Sequence, residues 1–264
     1  MTALILIVFL GIALSGLMAQ AWRTILRTGN SGFADVFWSY SIGGAGVVAA
    51  LWPLSPGEPG PRNWLVAGLV AIWSLRLGTH ILRRTLKGSD DPRYAQLRKE
   101  WGDRADQQLL IFLQIQAGAA LVLAIAIMAA AHNPAPLGLP DAFGVLVAIA
   151  AIAGEAVADA QLTAFKRDPA NKGKVCDTGL WGLSRHPNYF FEWLFWVAFP
   201  LIGIGYGWGW VALLAPLQMY WLLVHASGIP PLEAHMMRSR PAAFAEYKKR
   251  VRAFWPIPKA VEKT

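Results

Sequence analysis

Two carboxylates, Glu155 and Asp159, stand four residues apart inside an apolar stretch, and Lys166 and Arg167 follow two turns later where the chain becomes polar. At helical spacing both acids share one face. Snorkelling explains the two cations, whose long stems reach the membrane surface, but it does not explain acids within an apolar helix. Acceptors at that depth with cations at the rim suit a ligand carrying hydroxyl and amide donors near one end and phosphates near the other. A dinucleotide has that layout. Neither GxGxxG nor GxxxxGK[ST] occurs, so no soluble phosphate-binding fold is available for the role.

A second constellation is SRHPNYFFEW, residues 184–193. Pro187 suits the first position of a helix, with Ser184 or His186 as the cap. A helix start presents unpaired backbone N–H groups and a partial positive charge, both favourable to an anion. Arg185, Lys172 and Lys174 add full charges nearby, and Asn188 and Glu192 lie four apart on one face just inside. The segment reads either as a basic interfacial cap with an Asn–Glu hydrogen bond, or as a phosphate clamp with polar specificity contacts behind it.

Two more groups lie within apolar stretches. Asp35 is followed by Ser39 and Tyr40, while Arg76 and His80 are four apart, with Arg83 and Arg84 one turn on. Ionisable residues within a membrane span cost roughly 2.5–3.5 kcal/mol each and mark functional candidates. An Asp35–Arg76 ion pair is one reading. The other is a polar floor in an apolar cavity, where Tyr40 or His80 donates a hydrogen bond to a substrate carbonyl. Near the C-terminus, Glu233 and His235 form a lone Glu-x-His with no further His or Cys beside it, so no metal site is expected. Phe244, Tyr247 and Val251 form an apolar stripe able to lie back on the bundle.

These residues need elements to hold them. Of 264 residues, 55% are hydrophobic and only 15% charged, which points to the bilayer as solvent. Thirteen Trp and six Tyr fit aromatic belts at its interfaces. The single Cys176 excludes an internal disulfide and a thiolate cage. At about 20 residues per span, seven are expected, over residues 2–21, 33–53, 63–82, 109–131, 141–160, 190–205 and 208–225. The last two flank the Gly-rich IGIGYGWGW and read as a tight helical hairpin.

Lys and Arg number two in residues 22–32, seven in 83–108, five in 161–189 and eight in 226–264, together 22 of the 24. Arg62 alone lies in the loops of the other side, and Arg76 lies in a span. The positive-inside rule places the N-terminus outside and the C-terminus in the cytoplasm. The net charge of +8 is then cytoplasmic, attracted to anionic lipid or to an anionic ligand. Nucleic acid is a poor partner for such a chain, and no obligate protein partner is expected. The first span has no basic residues before it and reads as an uncleaved helix.

No repeat or soluble insertion interrupts the expected single all-α membrane domain. The connection GSDDPRYAQLRKEWGDRADQQ starts with turn-forming Gly88, Ser89, Asp90 and Pro92. Tyr94, Leu97 and Trp101 then mark a short amphipathic surface helix without chemistry of its own. NPAPLGLPD reads as a rigid connector.

Three motifs, EAVADAQLTAFKRDP, GLWGLSRHPNYFFEW and GIPPLEAHM with AEYKKRVRAFWPIPK, resemble in order and spacing the steroid 5α-reductase-like superfamily, in its bacterial branch of unknown function. The resemblance covers most of the chain and is strongest over residues 155–258. It implies a seven-helix membrane reductase with an NADPH pocket open to the cytoplasm, passing hydride to a carbon-carbon double bond conjugated to a carbonyl in a lipophilic substrate. Residues 1–131 would supply the substrate cavity and 141–264 the cofactor-binding half. Asp159, Asn188 and Glu192 would contact the cofactor by motif, as would Lys174, Arg185, Tyr189 and Tyr247. Glu155, Lys166, Arg167, Trp181, His186 and Glu233 complete the expected cofactor set.

Steroid-reducing members carry a Gln-Glu pair in the second span and a Tyr in the third. The comparable parts here offer Asp35 and Tyr40, then Trp73, Ser74 and Arg76, so the expected catalytic set is Asp35, Tyr40, Arg76 and His80. Two other functions compete. Isoprenylcysteine carboxyl methyltransferases, which use S-adenosylmethionine, share an RHPxY element, although Asn188, Glu192 and the long EAVAD-to-GLW stretch favour the reductase group. A small transporter or lipid-binding protein is the third, disfavoured by the lack of paired repeats.

Overall fold

In α1 (Thr2–Thr28) the buried residues Leu6, Leu10, Leu14, Met18, Ala21 and Ile25 recur every three or four positions, forming one helical stripe. The opposite face is equally apolar, with Leu4, Ile5, Val8, Phe9 and Ile12 all more than half exposed, as a helix bathed in hydrocarbon requires. The computed structural model describes residues 2–88 and 90–258. Ser89 of the polar connection and Lys259 at the end of the last motif lie outside the described residues. The other helices are α2 (Phe33–Leu51), α3 (Pro61–Lys87), α4 (Pro92–Trp101), α5 (Ala105–Ala131), α6 (Leu139–Arg167), α7 (Pro187–Ile202), α8 (Leu214–Trp221), α9 (Ile229–Ser239) and α10 (Pro241–Arg250). Among the described residues there is no strand, only an isolated parallel bridge between Ser184 and Arg252.

Among the described residues, six helical stretches are long and apolar enough to cross a membrane: α1, α2, α3, residues 93–131, α6 and residues 209–239. The chain is therefore read as a multi-pass membrane protein. The expected span over 190–205 corresponds to α7, whose 16 residues fall short of the crossing length. A 3-10 turn (Gly209–Leu213) leads into α8, and a π-helical turn (Leu222–Ala226) joins α8 towards α9.

The chain divides into two compact units, one of Met1–Gly144 with Phe199–Ala215, the other of Val145–Ala198 with Pro216–Thr264. In the first unit α2 packs on α1, α3 and α5. Gly43 makes the close approach to α3 possible, since a Cβ there would lie 2.0 Å from Ser74 Oγ. The Ser74 hydroxyl in turn donates to Ser39 O at 3.0 Å. Small residues of this kind let apolar helices touch backbone to backbone.

The segment 133–141, a short loop and the first turn of α6, is no plain connector. Arg62, buried in the first turn of α3, forks onto Asp141 through Nε (2.7 Å) and Nη2 (2.8 Å). It also donates to the carbonyls of Asn133, Ala135 and Pro136. The arginine counted from sequence only as a charge on the sparse side is thus a strap across that loop.

In the second unit the helices α6 and α7 meet at Gly154, where a Cβ would lie 2.3 Å from the Phe191 ring. Trp181 Nε1 donates to Ala158 O (3.0 Å) and Leu180 N to Gln161 Oε1 (3.0 Å), so the 179–182 turn is fastened to α6. Phe244, Tyr247 and Val251 form a buried cluster with Val175 and Met236 packed against it.

Candidate functional site

The contact of Gly154 with Phe191 sets a common level on α6 and α7. Glu155 and Glu192 are the next residues on each helix, and both are buried at 5% exposure. Asp159, one turn further along α6, is buried too. Trp196 Nε1 donates to Glu192 Oε1 at 3.0 Å, orienting that carboxylate from within its own helix. Three acids that the sequence placed on separate stretches therefore belong to one helix pair.

The start of α7 is held by a buried polar knot. Arg185 directs Nε (2.8 Å) and Nη2 (2.7 Å) to Glu233 Oε1, and Nη1 to Val251 O (2.5 Å). His186 Nε2 donates to the same Glu233 oxygen at 3.2 Å, and Lys248 Nζ reaches Oε2 at 3.1 Å. The guanidinium expected to clamp phosphate is thus neutralised by Glu233. Its role in this geometry is to tie α7 to α9 and to the segment after α10.

Ser184 fastens the same joint. Its hydroxyl lies 2.9 Å from Phe254 O and accepts His186 N at 3.1 Å, while Arg185 N donates to Arg252 O at 2.9 Å. Both proposed cap residues are used: the His186 carbonyl accepts Phe190 N, and the Ser184 hydroxyl turns the chain into the helix. Tyr247 donates its hydroxyl to Trp181 O at 2.5 Å, and burial pushes its phenol above the ordinary value.

What remains outward is different in kind. The Asn188 amide, half-buried on the first turn of α7, takes no part in the knot, and the Tyr189 ring stacks on His186 with centroids 5.6 Å apart. Lys166, Arg167, Lys172 and Lys174 are exposed along the end of α6 and the loop that follows. Buried acceptors, a half-buried amide and exposed cations all belong to the second unit.

The expected catalytic residues lie in the first unit. Asp35 gives its carboxylate to Arg93 Nη2 and to Tyr94 Oη (2.9 Å), both on α4. It does not go to Arg76 as the ion-pair reading expected. Arg93 also bonds Asp91, the N-cap of α4 (3.0 Å). Tyr40 Oη lies 3.0 Å from Thr79 Oγ1, and its ring fills the space beside Gly78. Arg76 and His80 are half-buried on α3.

Sequence reasoning missed Arg93, Tyr94 and Thr79. The apolar period of Tyr94, Leu97 and Trp101 pointed to the helix, but nothing local marked Arg93 or Tyr94 as partners of a residue nearly 60 positions earlier. Thr79 carried no signal.

A family profile described as "Protein of unknown function (DUF1295)" matches residues 21–251, most of the chain. No curated protein and no solved structure matches it.

Proposed function

From a chain that belongs to the DUF1295 family, we propose a membrane reductase that uses NADPH to reduce a carbon-carbon double bond conjugated to a carbonyl in a lipophilic substrate. The observation that carries this reading is the set of acids buried on α6 and α7, Glu155, Asp159 and Glu192, with exposed cations on the same unit. Acids within apolar helices mark functional sites, and a carboxylate is an acceptor of the kind that the hydroxyl and amide groups of a dinucleotide call for.

Lys166, Arg167, Lys172 and Lys174 would take its phosphates, with Asn188, Tyr189 and Trp181 at its polar edges. Arg185, His186, Glu233 and Tyr247 would act one step back, by fixing where α7 begins. When bound, a reduced nicotinamide supplies the hydride. The chain's own part is to orient the double bond, exclude water and place a donor on the carbonyl oxygen, where charge develops. Tyr40, backed by Thr79, is suited to that donation, and Asp35 positions α4 through Arg93 and Tyr94. The topology that goes with this reading has seven spans, α7 included, with the N-terminus outside and the nucleotide entering from the cytoplasm, in keeping with the Lys and Arg distribution.

The test uses detergent-purified protein. Small molecules that copurify are released and identified by mass, and NADPH and S-adenosylmethionine are titrated separately. Saturable NADPH binding, lost in Asn188→Ala and Glu192→Ala proteins that still fold, is the expected result. Binding of S-adenosylmethionine without any NADPH response would replace the reductase with a methyltransferase.

A further inference from the structure

We propose that the first unit recognises one hydroxyl group of a lipophilic molecule at a point framed by α2, α4 and α5, through Trp38 and Gln116. The side-chain atoms Trp38 Nε1 and Gln116 Oε1 are both enclosed, and neither has a hydrogen-bond partner among the described residues. A buried donor and a buried acceptor left unmet are each costly, and native structures pair the great majority of them.

Both residues adjoin the same polar pair, Trp38 along α2 and Gln116 through a hydrogen bond. Trp38 follows Asp35 by three residues on α2, which puts both on one helix face. Asp35 Oδ1 accepts from Tyr94 Oη at 2.9 Å, and Tyr94 Oη accepts from Gln116 Nε2 at 3.1 Å. This chain of bonds fixes the amide. The only Tyr94 proton is already given to Asp35, so turning Gln116 over would set its oxygen against a Tyr94 lone pair. Gln116 Oε1 therefore points away from Tyr94 as an acceptor, polarised by the Asp35–Tyr94–Gln116 relay behind it.

A hydroxyl meets both requirements, accepting from the indole N–H and donating to the amide oxygen. A ketone or ether satisfies Trp38 alone, and an ammonium satisfies Gln116 alone. The neighbouring α5 residues Ile111 and Ile115 are 46% and 66% exposed, so that part of the helix meets hydrocarbon. A molecule reaching the point by that side is a lipophile carrying the hydroxyl. The inference does not rest on the reductase reading, since it concerns binding without nucleotide.

The test uses full-length protein in nanodiscs without added nucleotide, titrated with radiolabelled hexadecan-1-ol, 1-methoxyhexadecane and hexadecane. None of the three can be reduced, so the outcome is separate from that of the proposed activity. The alcohol is expected to bind saturably, the ether at least about tenfold more weakly, and the hydrocarbon without saturation. Trp38→Phe, with an unchanged melting temperature when no probe is present, should weaken the alcohol about tenfold. Gln116→Met, on another helix, provides a second variant should Trp38→Phe fail to fold. Equal binding of the three probes overturns the inference, as does unchanged alcohol binding in the variants. A high-resolution structure showing only ordered water on both atoms with alcohol present does the same.

Discussion

At the scale of single residues, Glu233 bears the largest share of the knot in the second unit. It answers Arg185, His186 and Lys248 together. Glu233→Gln keeps the shape but leaves buried Arg185 without its counter-charge, so the loss should be about 3 kcal/mol. Thermal unfolding would register it as a clear fall in melting temperature, and an unchanged value would show that Arg185 is neutralised elsewhere.

His186 carries a pH dependence. Burial holds its imidazole below the ordinary value of 6.5, even though the Glu233 carboxylate pulls the other way. The unfolded chain then binds the proton more readily, and stability falls as pH drops from about 6.5 through the depressed native value. His186→Gln should flatten that part of a melting-temperature profile. Cys176, 6% exposed, has its thiol pushed up by burial, with Asp177 adding to the effect. Iodoacetamide at neutral pH should therefore label it slowly in the folded protein and rapidly after unfolding.

At the scale of elements, the fold depends on joints between helices. The α2–α3 contact at Gly43 leaves no room for a side chain, so Gly43→Val should destabilise by about 1–3 kcal/mol or more through overpacking. Ser184→Ala removes the hydroxyl that turns the chain into α7 and anchors residues 253–254. The expected loss is about 1–2 kcal/mol, and the proposed NADPH binding should weaken with it, because Asn188 and Tyr189 follow directly on that turn. Denaturant unfolding and nucleotide titration of one sample would separate the two effects. Helix α4 shows how an element's meaning changes with its contacts. Its apolar period promised a surface helix, yet Tyr94 is 4% exposed and bonds to Asp35.

At the scale of the whole molecule, the asymmetry of Lys and Arg argues for one orientation in the membrane. Single cysteines introduced at Ala135 and Arg238 in a Cys176→Ala background should be labelled by a membrane-impermeant maleimide from opposite sides, Ala135 from outside. Labelling of both from one side would break the proposed topology. The apolar content and the helical stripes made a multi-pass, all-helical chain legible from composition alone, because the bilayer admits few other structures. Spacing along one helix likewise made the faces of Glu155 with Asp159 and of Arg76 with His80 readable, since those depend only on helix geometry.

Partnerships across distant parts of the chain were not readable. That Glu233 meets Arg185, that Arg93 and Tyr94 meet Asp35, and that Arg62 straps the 133–141 segment were decided by the packing of helices. A charged residue in an apolar sequence announces that it needs a partner, because an uncompensated buried charge is too costly to persist. Which partner it takes depends on close contacts such as Gly43 with Ser74 and Gly154 with Phe191, and these exist only in three dimensions.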